Sequence, residues 1–220
     1  MDLSPLLLSL QVATLGTAIA TVLGIAIALP LATKRFPGRD LLDVVLTAPM
    51  VLPPTVLGYY VLVALGRRSA IGQAFESITG HSIVFTKTGT VVAAMIGAFP
   101  LVLKSARAAL EGVDKTLVLA ARTLGAGPAR AFFRVHLPLA ARGIVAGVML
   151  AFARALGDFG VTLMIAGNIP GETQTASLAI YDALQARRDA DALAMVLLLT
   201  AVAIGLLYGV NKLGRRGDAA

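Results

Sequence analysis

A chain of 220 residues that is 57% hydrophobic and only 14% charged, with mean hydropathy +0.84, lies far from the soluble average of about 45–50% apolar and about 25% charged. This excludes an ordinary soluble domain and implies one polytopic membrane domain over residues 1–220. With no cysteine and two distant histidines, His81 and His136, a disulfide framework, a thiolate metal site and a His-rich metal site are all excluded. The net charge of +7 goes with basic cytoplasmic loops, since no aromatic-plus-basic nucleic-acid module accompanies it.

The first apolar run covers residues 6–32, enough to cross a hydrocarbon core of about 30 Å. Only Met1 and Asp2 precede Leu3 and the run is long, so it reads as a retained span rather than a signal peptide. Gly16 and Gly24 thin it for close packing. Lys34, Arg35 and Arg39 then form a basic, cytoplasmic loop, which puts the N-terminus outside.

The second span, residues 41–65, is interrupted by Pro49 and by Pro53-Pro54. A proline in a helix interior costs about 3 kcal/mol. Such a break persists at membrane depth only where protein or a water-filled cavity surrounds the freed carbonyls. Pro53, Pro54 and Thr55 are therefore expected at the translocation path, where free amides at the start of the second half-helix would favour an anion. A plain packing kink is the alternative. Residues 66–86 read as a polar, irregular outer loop.

The third span is expected at residues 88–110, with Lys104 and Arg107 marking its end as cytoplasmic. Residues 111–140 form a loop, and the fourth span follows at 143–166, with Gly143 and Gly147 as a small-residue face. Arg154 and Asp158 lie within it at i and i+4. Embedded charges are costly unless paired, so the pair either locks helix packing, the favoured reading, or gates the path. A second outer loop, with a short amphipathic helix at 176–184, leads to a fifth span at 192–213, anchored inside by Lys212, Arg215 and Arg216. On this topology thirteen Lys and Arg lie inside, five outside and Arg154 within the membrane, which accounts for all 19. That bias supports N-terminus out and C-terminus in.

The loop LVLAARTLGAGPARAFFRVHLP, residues 117–138, is the most informative stretch. Leu117, Ala120, Ala121 and Leu124 share one helical face. Gly125 stops that helix, Gly127-Pro128 keeps it stopped, and a second short helix runs over 129–135 until Leu137-Pro138 ends it. Two short helices at a sharp turn, too short to span and too apolar for water, suit a docking element for a soluble partner.

Ala120, Ala121, Gly125, Leu137 and Pro138 resemble the EAA loop of ABC importer permeases. Leu119 stands where that loop usually has Glu, a departure that removes one polar contact to the ATPase, and Val135 replaces the usual Ile. The segments APMVLPPTVLGYYVLVALGRRSAIG (48–72) and FARALGDFGVTLMIAGNIPGETQTASLAIY (152–181) are similar to molybdate permeases of this class. Together the resemblance covers most of the chain. It implies an all-α, five-span, type I importer (MetI-like) permease fold with a cytoplasmic coupling helix between the third and fourth spans. It also implies a homodimer in the bacterial inner membrane, two P-loop ATPase subunits that bind the ATP and Mg, and an extracytoplasmic molybdate-binding protein. Tungstate and sulfate or thiosulfate permeases are the nearest alternatives.

The chain itself has no G-x-x-x-x-G-K-[ST], G-x-S-x-G or H-E-x-x-H motif, so it is read as non-catalytic with no cofactor of its own. A self-sufficient secondary transporter is the rival from another class. The absence of a visible internal repeat counts against it.

Overall fold

The computed structural model describes residues 2–216, with side chains as far as Tyr208. Met1 and the side chains of Lys212, Arg215 and Arg216, the expected inner anchors, lie outside the described residues. The described residues hold helices and no strand. In order these are α1 (Ser4–Thr33), α2 (Arg39–Thr47), a 3-10 turn (Ala48–Met50), α3 (Pro54–Leu65), α4 (Ala70–Thr79) and α5 (Lys87–Glu111). Then come α6 (Lys115–Thr123), α7 (Pro128–Ala131), a π turn (Phe132–His136), α8 (Leu137–Leu156), α9 (Gly160–Ala166), α10 (Ala176–Gln185) and α11 (Asp189–Arg216).

Four continuous stretches are long and apolar enough to cross a membrane: Ser4–Thr33, Lys87–Glu111, Pro128–Leu156 and Asp189–Tyr208. A fifth crossing forms if Arg39–Met50 and Pro54–Leu65, bent by 111° at the proline pair, count as one broken span. The prolines act as expected: Pro54 is in the first turn of α3, where a missing N–H costs nothing.

The α5 helix is the central post, flanked by α1 and α8. Its inner surface is made of Ala93, Ala94, Ala98, Val102, Leu103, Ala106 and Leu110, all buried. In lipid, apolar surface alone does not drive helices together, so association relies on close backbone approach at small residues. The glycines provide this. A Cβ on Gly16 would lie 2.8 Å from that of Ala94, one on Gly24 2.7 Å from Val102, and one on Gly143 2.7 Å from Ala109, while one on Gly147 would overlap Ser105. Gly147→Leu is thus expected to wedge α8 off α5, lowering the thermal midpoint of the purified protein and broadening its size-exclusion peak. Gly205→Leu, which meets nothing within 4 Å, should leave both unchanged.

Three local expectations are corrected. Segment 66–86, expected as an outer loop, is not wholly irregular: Ser69 Oγ accepts the Gly72 N–H and caps α4. Leu137-Pro138 does not end the helix that begins at Pro128. The backbone runs unbroken to Leu156 because the π turn just before Pro138 widens the helix where the ring would strike the carbonyl four residues back. The fourth helix stops at Leu156, since Gly157 caps it and Asp158 turns to the next helix, so α9 is a separate piece.

Candidate functional site

The segment expected to dock a partner is α6, the turn Leu124–Gly127 and α7. Asp114 caps α6 by accepting the Thr116 N–H at 2.8 Å, and this bond holds its carboxyl below the usual pKa. At the other end, Ala126 N–H donates to the Ala121 carbonyl and Gly125 N–H to that of Arg122, both at 3.1 Å. That pair of bonds is a Schellman motif, and it requires a left-handed residue at Gly125, whose φ is +89°. The Gly at this spacing thus has a structural cause: Gly125 turns the chain back so that its own N–H and that of Ala126 reach the Arg122 and Ala121 carbonyls. Leu117, Leu119, Ala120 and Leu124 are exposed. Leu137 is half-buried and Pro138 exposed, in the first turn of α8.

His136, in the π turn, bonds through Nε2 to the Leu110 carbonyl at 2.9 Å. This ties the root of the docking element to the end of α5, whose last carbonyls have no helical partner.

The second region lies at the far end of the same long helix. Asp158, 3% exposed, sits in the break between α8 and α9. One carboxylate oxygen accepts the Thr162 N–H at 2.9 Å and the Thr162 hydroxyl at 2.7 Å. The other accepts Arg154 Nη1 at 3.0 Å. The expected i, i+4 pair therefore forms, and Asp158 also caps the first turn of α9. Gly97 of α5 faces the pair: a Cβ there would be in ordinary contact with it, 3.9 Å from Asp158 Oδ1 and 4.0 Å from Arg154 Cζ. The Arg154 side chain is 39% exposed.

The break in α8–α9 and the break before α3 touch each other. A Cβ on Gly160 would lie 2.7 Å from Pro54 Cβ, and one on Gly58 2.7 Å from Met164 Cβ. Pro53, Pro54 and Thr55 are nevertheless exposed, and Val51 is 86% exposed. The structure thus brings the two sequence-flagged regions, 53–55 and 154–158, to neighbouring places. It holds the docking residues at the other end of the helix from Pro128 to Leu156.

A charge network was not expected. Asp43 of α2 pairs with Lys104 at 2.7 Å and Arg107 at 2.9 Å, and Glu111 pairs with Arg107 at 2.9 Å and Arg39 at 2.8 Å. It clamps the first half of the broken span to α5. The spacing Arg39/Asp43 and Lys104/Arg107/Glu111, each set on one helical face, was the available signal.

Comparison with known proteins agrees with this architecture. The chain is 49% identical, over 81% of its length and 78% of the relative's, to the molybdenum transport system permease protein ModB of Escherichia coli (strain K12). It is 34% identical, over 94% of its length and 74% of the relative's, to the probable sulfate transport system permease protein cysT of Chlorokybus atmophyticus. Among solved structures, the inward-facing MetNI methionine ABC transporter matches with a TM-score of 0.73 at 17% identity, covering 95% of this chain and 92% of that one. That likeness gives the fold, a type I importer permease. With residues 20–214 matching the binding-protein-dependent transport system inner membrane components, the chain belongs to that family.

Proposed function

We propose that the chain is the membrane permease of an ATP-driven molybdate importer, working as a homodimer with two P-loop ATPase subunits and an extracytoplasmic binding protein. The observation that carries this reading is the exposed break at Pro53–Thr55. Irregular backbone at membrane depth has to be covered by protein or face water. A second copy related by a two-fold axis would cover it and enclose an aqueous path. Leu57 N–H bonds back to Pro53, leaving the Thr55 and Val56 amides at the start of α3 to favour a passing oxyanion.

The helix from Pro128 to Leu156 supplies the mechanical link. At 1.5 Å per residue it is about 43 Å long, with the docking turn at one end and the Asp158 break at the other. ATP binding would close the ATPases, draw the two docking turns together and swing this helix. The motion would arrive at Gly160, which rests on Pro54. ATP and Mg would bind the ATPase, and this chain would do no chemistry.

The substrate reading is supported by the 49% identity to a molybdenum permease against 34% to a sulfate permease. In proteoliposomes holding the permease, ATPase and binding protein, labelled molybdate should accumulate only with ATP and all three components. Excess tungstate should compete and excess sulfate should not. Uptake by the permease alone would instead establish a secondary transporter, and equal competition by sulfate would move the assignment to sulfate.

A further inference from the structure

A cavity of about 620 Å³ opens between the inner end of α1 and the docking element. Pro30, Lys34, Val118, Arg122 and Phe132 are among its walls, and no Asp or Glu lines it. We propose that it binds the headgroup of an anionic phospholipid from the inner leaflet. This placement rests on the orientation used above, with the docking element inside.

Three observations lead there. The first is unspent charge. Arg39, Lys104 and Arg107 at this end of the molecule are all engaged by Asp43 and Glu111. Lys34 and Arg122 have no ion-pair partner among the described residues. Two unpaired cations facing one cavity with no carboxylate make an anion site, and basic pockets between spans at the cytoplasmic interface suit phospholipid headgroups.

The second is depth and amphipathicity. Helix α1 ends at Thr33 on the side read as cytoplasmic, which puts Lys34 at the inner end of the first span. Thr33 and His136 add polar groups, while Leu29, Pro30, Phe132 and Phe133 give the wall an apolar part, a surface suited to a glycerol backbone and the tops of acyl chains. A free inorganic anion would gain nothing from it.

The third is the face of α6 involved. Val118 and Arg122, at i and i+4, turn toward α1 and line the cavity. Leu117, Ala120 and Leu124, at i, i+3 and i+7, lie on another face and are exposed. A soluble partner on that outer face leaves the cavity open to lipid. A bound headgroup would brace α1 against the docking element, making coupling sensitive to lipid charge.

The test is native mass spectrometry of the detergent-purified protein titrated with phosphatidylglycerol or phosphatidylcholine. The wild type should retain phosphatidylglycerol preferentially. Lys34→Gln with Arg122→Gln should weaken that retention by about thirty-fold, which is about 2 kcal/mol at 1.4 kcal/mol per decade, and leave phosphatidylcholine binding unchanged. Both side chains are exposed, so folding should persist. Unchanged phosphatidylglycerol retention in the double variant would overturn the proposal. So would displacement by millimolar inorganic phosphate, and so would loss of co-purifying ATPase with lipid preference intact, which would make the cavity part of the ATPase contact. Failure of molybdate uptake in the wild type would count against the transport reading and leave this one standing.

Discussion

Replacing Gly125 with Val is expected to cut ATP-dependent uptake and binding-protein-stimulated ATP hydrolysis at least tenfold while the permease still inserts and folds. A Cβ at Gly125 meets nothing within 4 Å, so the effect is not a clash with a neighbour. It is confined to the backbone, where φ of +89° costs an L-residue about 1–2 kcal/mol and a β-branched one more. The chain can relieve that strain only by abandoning the Ala126-to-Ala121 and Gly125-to-Arg122 bonds, which re-aims α7 relative to α6. Gly125→Asn, which tolerates the left-handed region, should keep most activity. Wild-type rates in the Val variant would show that the turn does not position the docking helices.

Asp158→Ala carries the largest expected effect on stability. It removes the acceptor for the buried Thr162 amide and hydroxyl and the ion-pair partner of Arg154. Leaving a buried donor without its acceptor costs about 1–3 kcal/mol, and two such donors make a large part of a typical folding free energy. The thermal midpoint and the yield of monodisperse protein should both fall sharply. Asp158→Asn keeps an oxygen for Thr162 and should be milder. Arg154→Gln should be milder still, because the buried Asp158 keeps both Thr162 donors. If Asp158→Ala left the midpoint unchanged while Arg154→Gln abolished uptake, the pair would be a gate and not a structural cap.

Much of this was legible before any coordinates. The apolar runs, the proline break and the Ala-Ala-x-x-x-Gly turn are local signals, and each appears where its residues put it. The boundaries of the fourth helix were not legible. Pro138 looks like a stop, but a π turn upstream absorbs it. Asp158 looks like part of a continuous span, but it caps the next helix instead. Both outcomes depend on hydrogen bonds that compete with the regular helical pattern, and periodicity does not record that competition. The ion-pair clamp between α2 and α5 stayed hidden for a related reason: it joins residues 61 to 72 positions apart in sequence.

The sequence alone determined that this is a helical membrane protein with a broken second span and a glycine turn among basic residues. Hydrophobic length, charge asymmetry and the φ demanded of a glycine are properties of short stretches. Only the tertiary structure decided that the proline break rests on the break beside Asp158, and that one unbroken helix joins that contact to the docking turn. Those relations are set by which small residues let backbones meet, at Gly160 against Pro54 and at Gly147 against Ser105, and close approach between distant segments is a property of the packed molecule.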